Sequence, residues 1–391
     1  MSLEAYVFGS PSTVLYGAGC LEKVGERIAK FNAKRALIVT DDMLVKTGNV
    51  DMLKKILAAA GIEAVVYSGV NTEPTNVHVD EGAAVLKEQG CDVVIALGGG
   101  SPIDAAKGIA ILATNPGKIT DYEGRNITIP NPKMLLVAIG TTAGTGSEVT
   151  RVAVITDVNR SVKMVIKDDR VRPDIAVCDP LLTVSMPPSV TAATGMDALA
   201  HAIESSISRE TQPMSEMFGL EAIRLISRNL PKAWANGQDL EARGNMMRAQ
   251  LMAGFALSIS ASCSGHGLAR PFGAHFHVPH GLCNAFFLPE AMEFTVPACP
   301  EKFARMAEAM GENIAGLTVW EAAMKAAEAV KKLRGMISIP TLAEYGIDPD
   351  EYRRLIPQMV KDGIASGSHR LNPRTPTEKD LTKMYEAALA R

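Results

Sequence analysis

Three short apolar runs within the first 140 residues leave few folds open to this chain. They are Arg-Ala-Leu-Ile-Val-Thr at 35–40, Asp-Val-Val-Ile-Ala-Leu at 92–97 and Met-Leu-Leu-Val-Ala-Ile at 134–139. Such runs, apolar without alternation and bounded by polar residues, read as strands covered on both faces. Helix-length stretches fall before and between them, near 20–31, 49–60, 76–89 and from 101, and Glu-Ala-Val-Val-Tyr at 63–67 adds another strand. Alternating buried strands and helices imply a mostly parallel, doubly wound sheet. Residues 5–17 read as one or two short strands around a Pro turn, and the runs at 152–156 and 174–178 finish this half.

The pattern changes at Pro187-Pro188. Strand runs largely vanish and helical periodicities take over near 191–208, 213–229, 239–260, 300–311, 317–335, 349–361 and 376–390. At 391 residues the chain exceeds the usual single core. The reading is therefore an α/β domain over 1–186 and an all-α domain over 187–391.

Composition serves mainly to exclude. A formal net charge of −3 gives no electrostatic case for nucleic acid or an anionic membrane. The most apolar windows are broken well short of a membrane span. The start, Met-Ser-Leu-Glu-Ala-Tyr, lacks the regions of a signal peptide, and six scattered cysteines form no Cys-x-x-Cys pair. Reduced thiols in the cytoplasm are the expectation.

Leu-Gly-Gly-Gly-Ser-Pro-Ile-Asp-Ala-Ala-Lys at 97–107 takes a buried strand through three glycines into a helix. Ser101 reads as the N-cap, Pro102 as the first helical residue and Asp104 as the third position of a capping box. Glycines let a ligand approach the backbone, and free N–H groups with the helix dipole favour an anion, here a pyrophosphate. The motif is neither Gly-x-Gly-x-x-Gly nor a Walker loop. A second loop, Gly-Thr-Thr-Ala-Gly-Thr-Gly-Ser-Glu at 140–148, also follows a strand and offers hydroxyls to the same ligand. Asp41 ends a parallel strand, where a carboxylate accepts from ribose hydroxyls and repels a ribose phosphate, favouring NAD over NADP. It precedes the glycine turn, unlike the acid of the usual dinucleotide pattern.

Of seven histidines, five (His201, His266, His275, His277, His280) lie within 80 residues. Asp197 and His201 are four apart and share one helix face. Asp197, His201, His266 and His280 are the candidate ligand set: three imidazoles suit Fe, Zn, Ni or Cu, and a carboxylate shifts preference toward Fe(II), Zn or Mn. His275 reads as packing or surface, and His78 and His369 as surface residues without a role.

These motifs resemble the iron-containing (group III) alcohol dehydrogenase family over nearly the whole chain. The resemblance runs through Phe8-Gly-Ser-Pro, Tyr16-Gly-Ala-Gly, Gly98-Gly-Gly-Ser-Pro-Ile-Asp, Thr141-Thr-Ala-Gly-Thr-Gly-Ser-Glu and Asp179-Pro-Leu-Leu. Its most specific parts are Gly195-Met-Asp-Ala-Leu-Ala-His-Ala-Ile-Glu204 and Pro279-His-Gly-Leu-Cys-Asn-Ala285. It implies a dehydroquinate synthase-like architecture and an NAD-dependent oxidoreductase for a small alcohol, diol or hydroxy acid and its aldehyde. The catalytic metal, Fe(II) or alternatively Zn or Mn, would lie in the cleft and polarise the reacting oxygen. It places the metal on Asp197, His201, His266 and His280, and the cofactor on Asp41, Gly99, Gly100, Ser101, Thr141, Thr142, Thr150 and Lys163. A homodimer or larger homo-oligomer is also implied.

One position departs from the family. Many members carry a histidine four residues after the third ligand, where this chain has Arg270. A guanidinium is no base at neutral pH but holds a carboxylate bidentately, so substrates bearing an acid group become candidates; the plainer reading pairs Arg270 with Glu204. His277, three residues before His280, is the candidate proton relay. The alternatives are a hydroxyacid–oxoacid transhydrogenase, a maleylacetate reductase-like enzyme on acidic substrates, a lyase of the dehydroquinate synthase type, or a non-enzymatic NAD-binding protein.

Overall fold

The computed structural model describes residues 5–124, 128–160 and 162–390. The chain forms two compact units, one spanning Gly9–Val184 and one containing the described chain from Ser185 together with residues 5–8. The placement of that short N-terminal stretch differs from the expected 1–186 domain. Its cause is aromatic packing: the Phe8 ring lies 5.9 Å from both Phe218 and Phe255 of the helical unit.

The first unit runs β1 (Thr13–Tyr16), α1 (Val24–Ala29), β2 (Arg35–Val39), α2 (Asp42–Lys46), α3 (Asn49–Ala59), β3 (Glu63–Tyr67), α4 (Asn76–Glu88), β4 (Val93–Gly98), α5 (Gly100–Leu112), β5 (Leu136–Gly140), β6 (Val152–Asp157), β7 (Val162–Lys167) and β8 (Ile175–Cys178). Six strands form one parallel sheet in the order β1-β8-β5-β4-β2-β3. Alternate residues serve opposite faces. Leu37, Val39, Val94, Ala96, Leu136 and Ala138 pack with α4 and α5, while Ile38, Val93, Ile95, Val137, Ile139 and Val177 pack with α1 and α3. Every one of these is fully buried, and truncating a Leu or Ile among them to Ala costs about 2–5 kcal/mol.

The run at 152–156 does not join this sheet. It forms β6, which pairs antiparallel with β7 in a separate two-stranded ribbon. Its alternating burial, half-exposed at Val152, Val154 and Thr156, marks a strand with one covered face, unlike the central runs.

The second unit is helical: α6 (Pro188–Ile207), α7 (Pro213–Ala235), α8 (Leu240–Ser258), α9 (Ser264–Phe276), α10 (His280–Thr295), α11 (Pro300–Ala309), α12 (Val319–Met336), α13 (Pro349–Ala365) and α14 (Glu378–Leu389). α6 starts on Pro188, whose missing N–H costs nothing in a first turn. It packs on α7 through Gly195, where a Cβ would stand 2.3 Å from Leu230. The sequence signals predicted neither α9 nor α10. Each carries an internal proline, Pro271 and Pro289, which ordinarily argues against a helix. Among the described residues no helix is long and apolar enough to cross a membrane.

Candidate metal centre

Three helices of the second unit supply the histidine cluster. α6 presents Asp197, His201 and Glu204 on one face, since spacings of four and three residues bring side chains into one row. α9 presents His266 and, one turn later, Arg270. α10 begins at His280 and carries Asn284 one turn on. Close approach of α10 to α6 depends on Gly281, where a Cβ would stand 2.4 Å from the Ala193 carbonyl oxygen and 3.3 Å from Asp197 Cβ.

The four expected ligands converge. One donor atom from each of Asp197, His201, His266 and His280 falls within a span of 4.8 Å. Asp197 Oδ1 is 3.7 Å from His201 Nε2, 3.9 Å from His266 Nε2 and 3.7 Å from His280 Nε2. A tetrahedron with bonds of about 2.1 Å has edges of about 3.4 Å, so the spacing is slightly wider than a ligand shell. Asp197, His201 and His266 are buried, while His280 is about one-third exposed at its side chain.

The electrostatics suit a cation. Burial raises the Asp197 carboxyl, but the imidazoles of His201, His280 and His266 and the Asn284 amide outweigh it and hold the group below the usual range. Burial, aided by His201 and Arg270 and opposed by Asp197, pushes His266 well below the ordinary imidazole value. A carboxylate ionised and an imidazole neutral at pH 7 are the states that donate to a metal. The donor set of one carboxylate and three imidazoles fits Fe(II), Zn or Mn.

Two further groups complete the centre, and neither was singled out as part of it from sequence. Glu204 Oε2 lies 2.5 Å from His266 Nδ1, leaving Nε2 to face Asp197. Asn284 Nδ2 donates to Asp197 Oδ1 at 2.7 Å. Both carry a signal in hindsight: Glu204 is three residues beyond His201, and Asn284 four beyond His280, each on a ligand's helix face.

The remaining histidines behave differently from one another. His277 is exposed and takes φ +54° as the residue that ends α9. His275 Nε2 contacts Asp362 at 3.0 Å. His78 is no bystander, since its ring accepts from Thr75 N–H in the capping box of α4. His369, expected at the surface, is 7% exposed and its Nδ1 is buried without a partner among the described residues. The cause is the 3₁₀ turn Ser368–Leu371, which packs against α9 at Gly267. Arg270 donates to the hydroxyls of Ser368 and Ser262, both at 3.1 Å, and its charge lowers the Glu204 carboxyl against the stronger upward push of burial.

In the first unit, Gly99, Gly100 and Ser101 gather with Thr141 and Thr142 at the carboxyl ends of neighbouring strands β4 and β5, paired at Gly98 and Gly140. The glycines permit contact between the two loops: a Cβ on Gly99 would stand 3.3 Å from Thr142, and one on Gly100 3.1 Å from Thr145. The capping box expected from Ser101 does not form. Gly99 is the N-cap, no side chain caps the helix, and Ser101 lies inside the first turn. Asp104 instead accepts from Val154 N–H, the Ser147 hydroxyl and Lys107. Asp41 follows β2, which neighbours β4, and caps α2 by accepting from Leu44 N–H at 2.9 Å. Thr150 and Lys163 already have partners: the Thr150 hydroxyl lies 3.2 Å from Lys107 Nζ, and Lys163 Nζ pairs with Glu73 at 3.0 Å on the β6–β7 ribbon.

Comparison with known proteins agrees with this geometry. Residues 11–180 match the model of the iron-containing alcohol dehydrogenases, and residues 191–389 that of the Fe-containing alcohol dehydrogenase family, C-terminal. The chain is 40% identical to 1,3-propanediol dehydrogenase of Klebsiella pneumoniae over 99% of its length and 100% of that protein. It is 38% identical to the NAD-dependent methanol dehydrogenase of Bacillus methanolicus, covering 98% and 99% of the two chains. The crystal structure of a 1,3-propanediol oxidoreductase superposes with a TM-score of 0.95 at 40% identity, over 98% of this chain and 100% of that one. With both halves matched over nearly their full length, the chain belongs to the iron-containing alcohol dehydrogenase family.

Proposed function

We propose that this enzyme moves a hydride between a small alcohol or diol and NAD, with Asp197, His201, His266 and His280 holding Fe(II), or alternatively Zn or Mn. The observation that carries the reading is the convergence of four donor atoms from three helices within 4.8 Å. When bound, the ion supplies Lewis acidity toward a hydroxyl or carbonyl oxygen, and NAD supplies the hydride acceptor or donor. The chain's own contribution is positional. Glu204 holds the His266 ring so that Nε2 faces the cluster. His277, exposed at the end of α9, is suited to pass the alcohol proton to solvent.

For the cofactor, the uncapped first turn of α5 supports pyrophosphate binding through Gly99, Gly100 and Ser101, with Thr141 and Thr142 beside them. Asp41 keeps one oxygen beyond its capping bond for a ribose hydroxyl. Thr150 and Lys163 are the weaker members, since each already has a partner. The family relationship and the NAD-dependent relative support NAD as the cofactor. β1 at the sheet edge, with Tyr16 67% exposed, supports a homo-oligomer, and six free cysteines fit a cytoplasmic setting. The test is NADH formation from a panel of alcohols, diols and hydroxy acids by chelator-stripped protein reloaded anaerobically with Fe(II), Zn(II) or Mn(II). Turnover restored by one of these is expected, and none with any metal would refute the reading.

A second reading, acid-bearing substrates, rests on Arg270. It lies one turn from His266 and is tied to neutral hydroxyls of Ser262 and Ser368. Arg270→Ala is then expected to raise KM for hydroxy acids at least tenfold while sparing neutral alcohols. Equal effects on both would remove this reading.

A further inference from the structure

Asn284 sits in the middle of the ligand cluster. It is 1% exposed, and its Nδ2 lies 2.7 Å from Asp197 Oδ1, 3.2 Å from His266 Nε2 and 3.3 Å from His280 Nε2. One amide therefore reaches three of the four candidate ligand atoms. Its own Oδ1 is buried with no hydrogen-bond partner among the described residues. A buried acceptor left unpaired costs about 1–3 kcal/mol, so packing gives no reason to keep an amide at this position. The bond to Asp197 gives one. It is a donation to a buried carboxylate, the stronger kind of hydrogen bond, and it pins Oδ1 where three imidazole nitrogens face it.

We propose that Asn284 is a positioning residue of the metal centre, whose amide donation to Asp197 Oδ1 fixes the carboxylate and sets the affinity of the site for a divalent ion. The proposal rests on the metal reading given above. The approach of α10 to α6 at Gly281 brings the amide within reach. Glu204 orients His266, and Asn284 does the equivalent for Asp197. Loss of such a supporting bond typically weakens metal binding 10–100-fold.

The test compares wild type, Asn284→Ala and Asn284→Leu after chelator treatment. Zn(II) affinity is measured by competition with a chromophoric chelator, and Co(II) coordination by its visible absorption. NAD affinity, measured in parallel, reports an intact fold. Asn284→Ala is expected to bind Zn(II) 10–100-fold more weakly, with altered Co(II) bands and unchanged NAD affinity. Asn284→Leu keeps the volume but not the donor and is expected to bind at least tenfold more weakly; it carries the decision if the alanine variant does not fold. Binding within threefold of wild type, with the wild-type Co(II) spectrum, would overturn the proposal. A wild-type protein that takes up neither ion would instead refute the underlying metal reading, a different outcome from equal binding by all three proteins.

Discussion

Glu204 Oε2 lies 2.5 Å from His266 Nδ1, and the same carboxylate accepts from the backbone N–H groups of Gly265 and His266. Seven residues after Asp197 on α6, it decides which nitrogen of an α9 histidine faces the cluster. Gly265 makes room for it, since a Cβ there would stand 2.7 Å from Glu204 Oε1. One carboxylate on α6 thus joins that helix to the candidate ligand His266 on α9.

Each partner has its own pH signature. Burial, with His201 and Arg270, holds His266 well below its usual range. A base lowered in the fold destabilises it as pH falls below about 6.5, because the unfolded chain protonates first. Burial raises Glu204, which acts in the opposite sense: the fold gains as pH falls toward about 4.3. In metal-stripped wild type the two offset one another between those values. Glu204→Gln removes only the second contribution, so its melting temperature is expected to fall more steeply than wild type from pH ~6.5 to ~5. Parallel slopes in thermal melts across that window would contradict this.

Gly281→Ala places a methyl against the Ala193 carbonyl at 2.4 Å. α10 must then move off α6, carrying His280 and Asn284 with it. Metal affinity is expected to drop by at least an order of magnitude while NAD affinity stays within twofold. Calorimetric titration of both ligands checks this; wild-type metal affinity would show that the helix contact does not position the site.

Lys107 is fully buried, with Nζ 2.7 Å from the Ser147 hydroxyl, 2.5 Å from Val152 O, 3.2 Å from the Thr150 hydroxyl and 3.3 Å from Asp104. It ties α5 to the loop that follows β5. Lys107→Met leaves Asp104, whose side chain is 14% exposed, without its cation and is expected to destabilise the fold. NAD affinity is expected to fall at least tenfold with metal content unchanged. Fluorescence titration with NADH and metal analysis of the same sample check both halves.

The sheet was legible because β2, β4 and β5 are buried on both faces and so read as unbroken apolar runs. β7 was not, since Lys163 and Lys167 cut its apolar run to Met164-Val-Ile. The clustering of Asp197, His201, His266 and His280 was legible from residue types rare enough to stand out together. α9 and α10 were hidden by Pro271 and Pro289, because local propensity cannot see the neighbouring helices that hold those segments. Ser101 misled for a related reason: Asp104 found donors in Ser147 and Val154, more than forty residues away in sequence. His369 looked like a surface residue until the turn at 368–371 folded onto α9.

The most direct measurement is metal stoichiometry by elemental analysis of wild type, Asp197→Ala and His266→Ala purified in parallel. One divalent ion per chain is predicted for wild type, and less than a tenth of that for each variant, with NAD affinity retained in all three. Variants that carry as much metal as wild type would contradict the assignment of this cluster as the metal centre.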